Sequence, residues 1–157
     1  MFRDGTEAGL RKNAMLAAMA LLALPLAACD GRPDPLRVDG AWVRLPAVPG
    51  RPAAAYFTIR GGPTPATLIA VASDTAIVTE MHESMANGMR PIASVEVPAG
   101  GSVPFAPGGR HVMLIDLNRG IVPGRTVTLT FTFADGTRLI RRAPAVAANA
   151  PAGPGGR

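Results

Sequence analysis

Thr126, Thr128, Thr130 and Thr132 alternate strictly with Val127, Leu129, Phe131 and Phe133. Successive side chains of an extended chain leave opposite faces, so this segment buries its four apolar residues together only as a β-strand. Asp135-Gly136 then suits a tight hairpin turn, and residues 137–142 read as the returning strand. Elsewhere short apolar runs are cut by turn residues, among them Pro98-Ala99-Gly100-Gly101 and Pro107-Gly108-Gly109. Gly 18 and Pro 16 in 157 residues argue against a helical bundle. The pattern predicts strands near 36–45, 54–60, 66–73, 76–82, 92–97, 102–106, 111–117, 126–134 and 137–142. Short strands at this spacing predict an all-β, antiparallel sandwich or barrel.

The start of the chain reads as an address. Arg3, Arg11 and Lys12 precede an apolar run at 14–24, followed by Leu26-Ala27-Ala28-Cys29. A charged start, a short apolar stretch and small residues predict a secretory signal over 1–28. The run is too short to span a bilayer comfortably. Leu-Ala-Ala-Cys resembles the lipobox of bacterial lipoproteins, in which the Cys becomes the lipidated first residue. Cys29 is the only cysteine, which excludes an internal disulfide and any multi-Cys zinc, iron–sulfur or redox site. Residues 29–35 read as a tether, 36–142 as the domain, and the Pro/Ala/Gly-rich stretch 143–157 as a disordered tail. The formal charge is +5, but Lys12 is the sole lysine and the arginines are scattered, so no nucleic-acid partner is expected.

Beyond the signal the chain has four methionines, Met81, Met85, Met89 and Met113, and two histidines, His82 and His111. All six fall in residues 81–89 and 111–113. Core packing would not gather them so. A thioether is soft, neutral and never protonated; it suits Cu(I), and imidazole suits copper in either state. Zinc sites use Cys, His and carboxylates instead. Outside the cytoplasm free thiols are prone to oxidation, so a methionine-based carrier agrees with the secretory signal. On a strand His111 and Met113 leave one face while Val112 and Leu114 point to the core. Asn87-Gly88 marks a loop or hairpin bend between Met81 and Met89.

These residues resemble the PCu(A)C-type periplasmic copper chaperones. The signature of that family is a His, a Met some ten residues on, a spacer of twenty-one residues and His-x-Met. Here 21 residues separate Met89 from His111, and His111-Val112-Met113 supplies the His-x-Met. Ala41-Trp42-Val43-Arg44, Ala54-Ala55-Tyr56-Phe57-Thr58-Ile59, Met89-Arg90-Pro91, Pro98-Ala99-Gly100-Gly101 and the segment from Pro107 to Leu114 match as well, so the resemblance spans about residues 36–142. It implies a Greek-key, cupredoxin-like β-sandwich. It also implies one Cu(I) held by His82, Met89, His111 and Met113 and delivered to the copper-A centre of cytochrome c oxidase or to another copper carrier. Only six residues separate His82 from Met89, fewer than the family has, and Met85 or Met81 offers a substitute thioether in the shortened loop. Met81 adjoins His82 and reads as a core residue.

Trp42 reads as a core residue of the sandwich. Glu80, Glu83 and Asp116 read as solvated strand-end charges, although a carboxylate can also orient a histidine ligand. Arg141-Arg142 is too small for a basic patch. Two other readings compete with the copper chaperone. An electron-transfer cupredoxin would need a Cys thiolate beside two His, and Cys29 is far from both in sequence. A metal-free, lipid-anchored interaction domain would use the same sandwich without the metal. No hydrolase triad or carboxylate pair is evident, so no enzyme activity is expected. The reading as a whole places the domain on the periplasmic side of a bacterial membrane. A Cys29→Ser variant is expected to lose acyl labelling and leave the membrane fraction, because two or more acyl chains give stable attachment. A wild-type protein already soluble with an unmodified Cys29 would refute the anchor.

Overall fold

The computed structural model describes residues 34–151 and 153. The expected signal, Cys29 and the tether up to residue 33 lie outside them. The described residues form ten strands: β1 (Arg37–Arg44), β2 (Ala53–Arg60), β3 (Ala66–Ser73), β4 (Ala76–Met85), β5 (Gly88–Pro91), β6 (Val95–Val97), β7 (Ser102–Phe105), β8 (Arg110–Leu117), β9 (Thr126–Phe133) and β10 (Arg138–Val146). Among these residues no helix is long and apolar enough to cross a membrane.

One layer runs β5-β4-β8-β2-β1 and the other β10-β9-β3-β6. On one edge of β2 the first half pairs with β8, Ala55 opposite Val112, and the second half with β7, Phe57 opposite Phe105. The layers join where β1 and β10 run parallel, Val43 opposite Ala145. Among the described residues this is the one parallel ladder in the expected antiparallel sandwich; the long intervening chain permits it.

Alternation builds the core as the sequence predicts. Val127, Leu129, Phe131 and Phe133 of β9 are buried, as are Ala53, Ala55, Phe57 and Ile59 of β2. The Phe57 ring stacks on Phe105 with centroids 4.3 Å apart and meets Phe131 of the opposite layer edge-on at 4.7 Å. Behind β2, a Cβ on Gly61 would lie 2.0 Å from the Pro98 carbonyl oxygen. The Pro98-Ala99-Gly100-Gly101 turn therefore closes only over a residue without a side chain.

The strands differ from expectation in two regions. β4 continues to Met85 and turns through Ala86 and Asn87 into β5, and the strand expected over 92–97 shortens to β6. The last strand runs to Val146, so residues 143–146 belong to the sheet and not to the tail. Their composition conceals a strand pattern: Ala143 and Ala145 are buried while Pro144 and Val146 alternate outward.

Phe57→Ala is expected to destabilise the domain by about 3–5 kcal/mol, the range for deleting a buried aromatic ring, read as a lower urea midpoint at unchanged slope. A second expectation concerns acid. The Thr137 amide and hydroxyl donate to the Asp135 carboxylate at 2.8 and 2.9 Å and hold its pKa below the usual carboxylate value. This stabilisation is present above the ordinary carboxylate pKa and is lost as pH falls through the lowered one. Thermal unfolding of Asp135→Ala should therefore show a lower Tm than wild type at neutral pH, with the gap closing in strong acid.

Candidate metal centre

β4 and β8 pair so that His82 stands opposite His111, Glu80 opposite Met113, and Met81 opposite Val112. Met81, Val112 and Leu114 are buried in the core, so Met81 is the core residue its position suggested. The alternate residues His82, His111 and Met113 share the outer face. The β4–β5 hairpin sets Ser84 opposite Met89 and His82 opposite Pro91, which puts Met89 on that face too. His82 is the hub: His111 is its direct neighbour, and Met113 and Met89 are its diagonal neighbours across the two adjoining strands. Such diagonals lie about 7–8 Å apart, within reach of long side chains.

The histidine rings are 6.0 Å apart, centroid to centroid, with 26° between planes. His111 is 7% exposed, and its Nδ1 lies 3.0 Å from the Gly109 carbonyl oxygen. A carbonyl only accepts, so Nδ1 carries the proton and Nε2 keeps its lone pair. His82 Nε2 lies 3.0 Å from Glu80 Oε2, and His82 Nδ1 is buried with no hydrogen-bond partner. Glu80, read from the sequence as a solvated strand-end charge, is thus bonded to a candidate ligand. Among the described residues no three or more His, Cys, Asp or Glu side chains gather as a metal site. The donor set of this face is two imidazoles and two thioethers, which fits a soft monovalent ion.

Met85 pairs with Gly88 and falls on the opposite face from His82; at 57% exposure it points away from the donor set and is a poor substitute. That opposite face also carries Glu83, which accepts from Arg90 at 2.7 Å and lies 3.4 Å from Arg110. Arg90 holds the Glu83 carboxyl below its usual pKa. Asp116 adopts a φ of 53° near the far end of β8.

Trp42 is buried, but not in the sandwich interior. It lies on the outer face beside Tyr56, ring centroids 4.6 Å apart, under the Arg44 guanidinium 4.9 Å from its centroid. Gly153 lies against it so closely that a Cβ there would come within 2.5 Å of the indole ring. Tyr56 continues this aromatic row to His111, 6.5 Å away. Burial raises the pKa of its phenol. Tyr56 is a wall of the site that sequence reasoning missed. The available signal was its parity in β2, opposite to Ala55 and Phe57.

A family model described as LpqE-like ("Putative lipoprotein LpqE-like") matches residues 36–145. "Putative lipoprotein Lxx21020" of Leifsonia xyli subsp. xyli is 30% identical over 109 residues, 66% of this chain and 65% of that protein. The chain thus matches less than two thirds of that relative's length. Among solved structures, the CuI form of DR1885 from Deinococcus radiodurans is 29% identical at a TM-score of 0.63, covering 75% of this chain and 83% of that one. The copper-bound PCuAC domain from PmoF2 shares the fold at 22% identity and the same TM-score of 0.63, covering 73% of this chain and 95% of that one. The cupredoxin-like sandwich expected from the sequence is the fold of these domains. Matched along nearly its whole strand framework, the chain belongs to the LpqE-like family, and the resemblance to the PCu(A)C-type copper chaperones read from its sequence is borne out by the solved PCuAC domains it matches.

Proposed function

We propose that the chain is a lipid-anchored copper chaperone outside the cytoplasm, binding one Cu(I) through His82, His111, Met113 and Met89. The observation that carries this reading is the hub arrangement on the outer face of β4, β5 and β8, with His82 Nδ1 buried and unpartnered, His111 paired with it across the ladder, and two thioethers on the diagonals. Solved relatives with copper bound support it. The lipoprotein names of the family and of the Leifsonia relative support an anchor at Cys29.

The work is binding and release, with no covalent step. His111 is held rigidly by Gly109 and the aromatic wall, whereas Met89 sits on β5, which is exposed along its whole length. An incoming donor displaces Met89 first, and the ion leaves by exchange of ligands. The acceptor in this reading is the copper-A centre of cytochrome c oxidase or another copper carrier.

Anaerobic Cu(I) titration of the protein against a competing chelator tests this. Met113→Ala is expected to weaken Cu(I) more than Cu(II), because sulfur favours the softer state, and His111→Ala to weaken both. X-ray absorption of the Cu(I) form should show sulfur and nitrogen neighbours together. Because the core is independent of the ligands, the metal-free domain should fold, and Cu(I) at about a hundred times Kd should add about 2.7 kcal/mol. Nitrogen and oxygen neighbours alone, or unchanged Cu(I) affinity in Met113→Ala, would overturn the assignment.

A further inference from the structure

We infer that Glu80 is a positioning residue that fixes the tautomer of His82, so that the two histidines present different ring nitrogens: Nδ1 from His82 and Nε2 from His111. The inference rests on the copper reading above and adds how each ring is aimed. An ionised carboxylate only accepts hydrogen bonds, so the 3.0 Å contact between Glu80 Oε2 and His82 Nε2 puts the proton on Nε2. The lone pair is then on Nδ1, the nitrogen that is buried without a partner. A buried polar atom left unpaired is costly and uncommon. A metal bound there would give this atom the partner it lacks. His111 has the reverse arrangement, because Gly109 accepts from its Nδ1. Ligating histidines commonly donate their other N–H to a carboxylate or a carbonyl, and here one ring has each kind.

The sheet explains why Glu80 can do this. It lies two residues before His82 on β4, hence on the same face, and opposite Met113. Glu83, the nearest other carboxylate on β4, is on the reverse face and engaged by Arg90. The same row of the ladder therefore carries the orienting carboxylate and a thioether, one step along from the paired rings.

The experiment is a long-range proton–nitrogen NMR correlation on the full chain, 15N-labelled at histidine and purified in detergent. With two histidines in the sequence, each ring is resolved individually. Without metal, the expected spectrum shows an Nε2–H tautomer for His82 and an Nδ1–H tautomer for His111. Silver(I), a redox-inert monovalent probe, should then shift Nδ1 of His82 and Nε2 of His111. Glu80→Ala should convert His82 to a tautomer mixture, leave His111 unchanged and weaken Cu(I) binding about 10- to 100-fold. Glu80→Gln, whose amide oxygen still accepts, should restore both. An Nδ1–H pattern at His82 in the wild type, or a silver-induced shift at its Nε2, overturns the inference even if Glu80→Ala fails to fold. The two expected tautomers with no shift from silver or Cu(I) at either ring would instead overturn the copper reading itself.

Discussion

The register between β4 and β8 is the constraint on which the rest of the molecule depends. Met81, Val112 and Leu114 enter the core from these strands, and His82, His111 and Met113 are displayed because those residues are buried. Each fully buried aliphatic side chain contributes roughly 1.5–3 kcal/mol. A slip of β4 by one residue would exchange its faces, exposing Met81 and driving the His82 imidazole into the core. The donor array is therefore held by hydrophobic packing on the far side of the sheet, and it exists before any metal arrives.

Around that array the face is graded. Toward β1 lie Tyr56, Trp42 and Arg44, an aromatic and cationic wall that shields His111. Toward β5 the cover thins, and Met89 is 56% exposed. The Arg90–Glu83 contact fastens the hairpin from behind, but an exposed ion pair is a modest restraint. These side chains thus run from a sheltered, hydrogen-bonded imidazole at His111 to a solvent-facing thioether at Met89. In the proposed copper reading, this polarity would give ligand exchange a direction that four equivalent donors would lack.

Much of this was legible in the sequence because it is local. The alternation of Thr126–Phe133 and the shared face of His111 and Met113 follow from period two within a single strand. What escaped depends on which strands become neighbours. Met89 was expected beside His82 with Met85 as its substitute, and which of the two shares the face of His82 is set by the register of a two-residue hairpin. Glu80 carries the same parity as His82, but parity alone does not distinguish a bonded carboxylate from a solvated one. Trp42 was correctly expected to be buried, but on the wrong side of the sheet, because its cover comes from Arg44 and from Gly153, more than a hundred residues away. Residues 143–146 were hidden by composition, since alanine and proline signal a tail unless a partner strand is known.

The parallel junction of β1 with β10 bears on when the sandwich can exist. Val43 meets Ala145 across roughly a hundred residues of sequence, and Arg141 reaches back to donate to the Val38 carbonyl oxygen at 2.7 Å. Contacts of such long range are formed late, because the intervening chain must lose its freedom before they repay it. As the chain is synthesised from its N-terminus, β1 lacks its second neighbour until β10 has emerged. The two layers therefore lock only once every strand from β1 to β10 is available, so the junction closes the sandwich as its final step.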